Sequence, residues 1–100
     1  MDIDLTEHGR TRLQQRSIPI EILEVIHDYG TSSRSHGAER FYLDKRGRRA
    51  LQREFRRSPL IKRYERYLNV YVVVSDRGTV ITAGRRNKRF KRDVNINYNR

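Results

Sequence analysis

Apolar positions follow two rhythms along this chain. The early one is helical. Leu5, Gly9 and Leu13 recur at four-residue spacing, and Ile22, Val25, Ile26 and Tyr29 line one side of a second stretch, opposite Glu21, Glu24 and Asp28. Thr6 can cap a first helix running to about Arg16, which Ser17-Ile18-Pro19 closes. Pro19 suits the first turn of the second helix, since its missing N–H would find no partner there, and Gly30 is a natural stop. Thr31 to Gly37, rich in Ser and Gly, reads as a loop, followed by a short strand over Arg40 to Leu43. Asp44 can cap a third helix extending to about Arg57, ended by Ser58-Pro59. Gly47 weakens that helix by roughly 1 kcal/mol relative to alanine, so a break near it stays open. Leu60 to Arg66 fits either a helical turn or the approach to a strand.

The late rhythm has a period of two. Leu68, Val70, Val72 and Val74 form one face and Asn69, Tyr71, Val73 and Ser75 the other, which predicts a strand over Tyr67 to Ser75. Asp76-Arg77-Gly78 is a hairpin turn, Thr79 to Ala83 the return strand, and Gly84 releases the chain. The expected architecture is α+β: two N-terminal helices, a short strand, a basic helix and a C-terminal hairpin, with helices packed on one face of a small antiparallel sheet. It is expected as a single domain over residues 1–92. The Asn-rich tail over 93–100 reads as a frayed edge strand or as disorder.

Charge changes this picture. Met1 to Asp44 carries five Lys/Arg against eight Asp/Glu, whereas Lys45 to Arg100 carries eighteen against four, so the chain's +11 resides in its second part. Such a surplus repels itself unless a polyanion offsets it, and nucleic acid rewards clustered cations by counterion release. Arginine outnumbers lysine nineteen to four, which favours bidentate recognition of phosphate or carboxylate. Cysteine is absent, which excludes disulfides and thiolate metal sites. No signal-peptide run opens the chain and no stretch has transmembrane length, so the cytoplasm is the default compartment and no membrane is expected.

Two constellations could carry chemistry. At about 100° per residue, Lys45, Arg46, Arg49, Arg53, Arg56 and Arg57 fall in an arc about 120° wide, opposite Leu51 and Phe55. The run Arg85-Arg86-Asn87-Lys88-Arg89-Phe90-Lys91-Arg92 adds six cations around one aromatic ring. Arg46, Arg49, Arg53, Arg56, Arg85, Arg86, Lys88 and Arg89 are therefore the candidate nucleic-acid contacts. His8, Arg12 and Arg16, spaced by four, form a helical stripe in which an imidazole could move protons while two guanidiniums hold a phosphate. The structural alternative pairs Arg12 and Arg16 with the second helix's acidic side and leaves His8 to cap or pack. Tyr64, Tyr67, Tyr71 and Tyr98 could offer hydroxyls or stacking surfaces, but Tyr67 and Tyr71 read first as half-buried strand residues. His27 and His36 have no ligand-like neighbours, so neither metal nor cofactor is expected.

His8-Gly9, Arg12-Leu13, Arg16 and Ile18-Pro19, in that spacing, resemble the opening signature of a small bacterial family called domain of unknown function 4258. Tyr67 to Val74, the Asp76-Arg77-Gly78 turn and Val80-Ile81-Thr82 resemble its closing strands, and the resemblance spans most of Glu7 to Arg89. The family's pattern is similar to that of RelE-type toxins, small basic ribonucleases that cleave without metal and are silenced by an acidic antitoxin. The resemblance thus implies an RNA-directed protein, RNA ahead of DNA, with metal-independent endoribonuclease chemistry and an acidic antitoxin-like partner as expectations. Where those toxins place late histidine or tyrosine groups, this chain supplies Arg85, Arg86 and a distant Tyr98. The competing expectation is a non-catalytic nucleic-acid-binding module, or a basic module that docks an acidic partner.

Overall fold

The structure, a computed structural model, describes residues 3–86. Its elements run α1 (Glu7–Gln15), α2 (Ile20–Tyr29), β1 (Thr31–Ser35), β2 (Ala38–Tyr42), α3 (Lys45–Phe55), α4 (Leu60–Glu65), β3 (Val70–Ser75) and β4 (Val80–Arg85). The four strands form one antiparallel sheet in the order β1-β2-β3-β4. The α+β class read from the two rhythms is the class observed.

Helix starts follow the side chains that cap them. Thr6 accepts from the Gly9 N–H at 2.9 Å, and Asp44 from the Gly47 N–H at 2.8 Å. The core gathers where the rhythms meet: Ile22, Ile26, Leu43, Leu51 and Val70 are its most completely buried side chains, with Val72 and Ala83 beside them. Burying a side chain of this size stabilises the fold by about 1.5–3 kcal/mol, so residues from every part of the described chain contribute to one core.

The structure corrects several expectations and decides two that the sequence leaves open, the conformation of Leu60 to Arg66 and a break near Gly47. The segment read as a loop over Thr31 to Gly37 is β1 and its turn; Ser35 pairs with Ala38, and His36 and Gly37 take φ of 50° and 76°. Positive φ at both central positions is what a tight hairpin turn requires, and an edge strand needs no apolar alternation to sit in a sheet. The strand over Arg40 to Leu43 lies instead at Ala38–Tyr42. Leu60–Glu65 is helix α4, tied to α2 by an Arg63–Glu21 ion pair, and β3 begins at Val70 rather than Tyr67. The return strand continues through Gly84 to Arg85. Gly47 causes no break: α3 runs through it to Phe55, and a Cβ there would lie 2.3 Å from the Tyr29 carbonyl oxygen. The glycine lets α3 begin against the end of α2.

α1 lies along β4. The Thr6 N–H donates to the Val80 carbonyl at 3.0 Å and the Val80 N–H to that of Asp4 at 2.8 Å, a short parallel bridge beside the sheet. Gly9 permits the approach, since a Cβ there would meet the Val80 carbonyl oxygen at 2.7 Å. The helix bearing His8, Arg12 and Arg16 is thereby fixed relative to the strand bearing Arg85. The tail over 93–100 lies outside the described residues.

Candidate nucleic-acid interface

α3 sorts its side chains by period. Gly47 and Leu51 are buried and Phe55 is half-buried, while Lys45, Arg46, Arg49, Arg53, Arg56 and Arg57 are exposed. None of these six cations forms an ion pair with another described residue. Arg48 falls on the apolar side of the same helix and behaves differently: it is half-buried and donates to the Leu68 carbonyl at 3.3 Å. It is an architectural cation, and its place among the basic residues of the sequence does not distinguish it from its neighbours.

A second cluster forms where β4 ends. Arg16 Nη1 donates to the Ala83 carbonyl at 2.6 Å, and Arg85 Nη2 reaches the Arg16 carbonyl at 3.5 Å. The Arg85 guanidinium lies 5.2 Å from the Tyr67 ring centre, and that of Arg86 lies 5.1 Å from the Tyr42 ring centre. Arg86 also donates to the Leu43 carbonyl at 2.7 Å, just before α3 begins. These contacts join the C-terminal end of α1, the end of β4 and the start of α3 into one arginine–tyrosine band. Arginine stacked on a ring keeps its charge while its stem is held, so the band holds its guanidiniums in place.

The sheet's other face continues the band. Strand alternation puts Val70 and Val72 on the core side and Tyr71 and Val73 opposite. Tyr71 is the cross-strand partner of Tyr42, and Arg40 that of Val73; all four are half-buried. On the next strand Gly84 faces Tyr71, and a Cβ on it would lie 2.5 Å from Arg16 Nη1 and 2.9 Å from the Tyr71 hydroxyl. The missing side chain is what allows a guanidinium and a phenol to meet over β4. Single-strand binders use such a combination of cations and aromatic surface.

The candidate residues therefore divide. Arg16, Arg85 and Arg86 come together; Arg46, Arg49 and Arg53 share one exposed face of α3, with Arg56 exposed at its C-cap; Lys88 and Arg89 lie outside the described residues. His8 is exposed and sits two turns from Arg16 on α1, its Nε2 accepting from Arg12 Nε at 3.3 Å. Neither Arg12 nor Arg16 pairs with the acidic side of α2, where Glu21 takes Arg63 instead. Sequence reasoning missed Arg40 and Tyr42, and it weighed Tyr71 as a stacking surface but preferred a half-buried strand residue. Alternation could have grouped the strand residues on one face, but only the register brings β2 beside β3.

Among the described residues, the acidity of Tyr29 stands out. Burial first, and then its hydrogen bond to Glu54, push its hydroxyl up to about 12. This joins α2 to α3 and lies apart from the band. Among the described residues no group of three or more His, Asp or Glu could hold a metal, and no helix is long and apolar enough to cross a membrane. Compared with protein-family models, with curated proteins and with solved structures, the chain matches none, so its own geometry carries the functional argument.

Proposed function

We propose that this chain is an RNA-directed protein that grips a single strand along a basic surface running from α3 to the end of β4. One observation carries the reading: Lys45, Arg46, Arg49 and Arg53 on one face of α3, with Arg56 and Arg57 just past its end, are exposed and without an ionic partner among the described residues. Holding so many like charges together favours a polyanion, whose released counterions drive association. Arg16 and Arg85 extend that surface, and Tyr42 and Tyr71 offer rings to unpaired bases. The choice of RNA over DNA rests on the resemblance to RelE-type toxins. The same cations would receive an acidic antitoxin-like protein, which would compete with RNA.

A second reading, metal-independent cleavage, is supported by the exposed His8–Arg12 pair on the helix that delivers Arg16 to the band. Here His8 takes the proton of a 2′-hydroxyl, whose oxygen forms a bond to the adjacent phosphorus. The bond to the 5′ oxygen breaks, leaving a 2′,3′-cyclic phosphate, and solvent protonates the departing 5′ oxygen. Arg12, whose Nε already meets His8 Nε2, would hold the charged phosphorane, while Arg16 at the band would hold a neighbouring phosphate.

Wild type and His8→Ala, incubated in chelator with a labelled structured RNA and its DNA counterpart, separate these readings when binding and fragments are read from the same samples. Salt-sensitive binding by both proteins without fragments is the binding module. Fragments from the wild type alone, with binding retained in the variant, make His8 catalytic. Absence of binding at low salt refutes the proposal.

A further inference from the structure

On the face of the sheet that meets α2, a cleft of about 340 Å³ opens at the β3–β4 turn, away from the arginine–tyrosine band. Leu23, Phe41, Val72, Val74 and Val80 give it an apolar floor, and Glu24, Glu39 and Asp76 bring carboxylates to it. Glu39 stands out. Alternation places it on the side of β2 that carries Phe41, directly across from Val74, so a half-buried carboxylate sits on the sheet's apolar side. Its cross-strand neighbour Arg34 turns to Asp76 instead. Neither Glu24 nor Glu39 forms an ion pair with a described residue. A carboxylate drawn partly out of water gains from a cation that replaces the lost solvation.

We propose that this cleft binds a small apolar amine. A ring or branched chain rests among Phe41, Val72 and Val74, and the ammonium group sits between Glu24 and Glu39. The volume matches the lower end of small-molecule sites, about 300 Å³, which suits one ring on a short chain. In a protein of net charge +11, a cleft whose ionic groups are mainly carboxylates selects for charge as well as for shape. This site is independent of the RNA reading and lies on the opposite side of the sheet from Tyr42 and Tyr71.

The test titrates the full chain with 2-phenylethylamine and with 2-phenylethanol, which has the same body without the charge. The methyl signals of Val72, Val74 and Val80 report occupancy. The amine should shift them saturably and bind about tenfold tighter than the alcohol, as one charge-assisted hydrogen bond would give. Glu39→Gln should bring the amine down to the alcohol's affinity and leave the alcohol unchanged. Glu24→Gln, at the α2 side of the cleft, should weaken the amine in the same direction and serves if the first variant folds poorly. Equal affinities for the two compounds, or shifts spread over surface carboxylates and absent from the cleft, would overturn the assignment.

Discussion

Two glycines show how one residue type does different work. A Cβ on Gly47 would run into the backbone carbonyl of Tyr29 at 2.3 Å, which cannot move without shifting α2. Gly47→Ala should therefore destabilise by about 1–3 kcal/mol in urea unfolding, the cost typical of overpacking, although alanine is the better helix former. A Cβ on Gly84 would meet Arg16 Nη1 at 2.5 Å and the Tyr71 hydroxyl and ring edge at 2.9 and 3.1 Å, side chains that can give way more readily than a backbone carbonyl. Gly84→Ala should therefore cost less stability than Gly47→Ala and, by displacing Arg16, weaken RNA binding several-fold, roughly the loss of one charge-assisted hydrogen bond. Equal stability losses in the two variants would contradict this placement. Tyr29 adds a pH signature. Its hydroxyl has an ordinary value of 10.0 and about 12 in the fold, so the stability it contributes is complete below 10 and lost as pH rises through 12. In Tyr29→Phe the fall in stability between pH 10 and 12 should be shallower than in wild type. The sequence placed Tyr29 on an apolar helix face but could not show the Glu54 carboxylate that holds its proton, since that contact depends on how α2 and α3 pack.

At the scale of elements, legibility followed period and capping chemistry. α1, α2 and α3 announced their starts through Thr6, Pro19 and Asp44, and the β3–β4 hairpin through alternation and the Asp76-Arg77-Gly78 turn. β1 did not, because Thr-Ser-Ser-Arg-Ser has no apolar alternation and its place comes from pairing with β2. α4 is a six-residue helix secured by burial of Tyr64 and by the Arg63–Glu21 pair, neither visible in a short periodic window. The basic arc was legible over Lys45 to Arg53, whereas Arg56 and Arg57 fall past the end of α3, and the separate role of Arg48 was legible only from its angle around the helix. Asp44→Ala removes the cap on which that helix starts and should cost about 1 kcal/mol, read by thermal unfolding. Because the cap also sets where the arc begins, RNA affinity should fall in the same variant; an unchanged unfolding midpoint would mean that packing alone fixes the helix start.

On the scale of the whole molecule, the acidic and basic parts of the sequence do not become two separate halves. α1, from the acidic part, delivers Arg16 to Arg85, and α3 lies against α2. Among the described residues, exposed cations without an ion pair cluster on the solvent face of α3 and at Arg85, the end of β4, the arrangement on which the proposed polyanionic partner rests. The measurement that tests this most directly is the salt dependence of single-stranded RNA binding, for wild type and for the double variant Arg49→Ala with Arg53→Ala. If the α3 face holds the backbone, log affinity falls linearly with log salt, and the double variant loses about 1.4 from that slope, roughly 0.7 for each phosphate contact removed. An unchanged slope, with wild-type affinity retained in the double variant, would contradict the account.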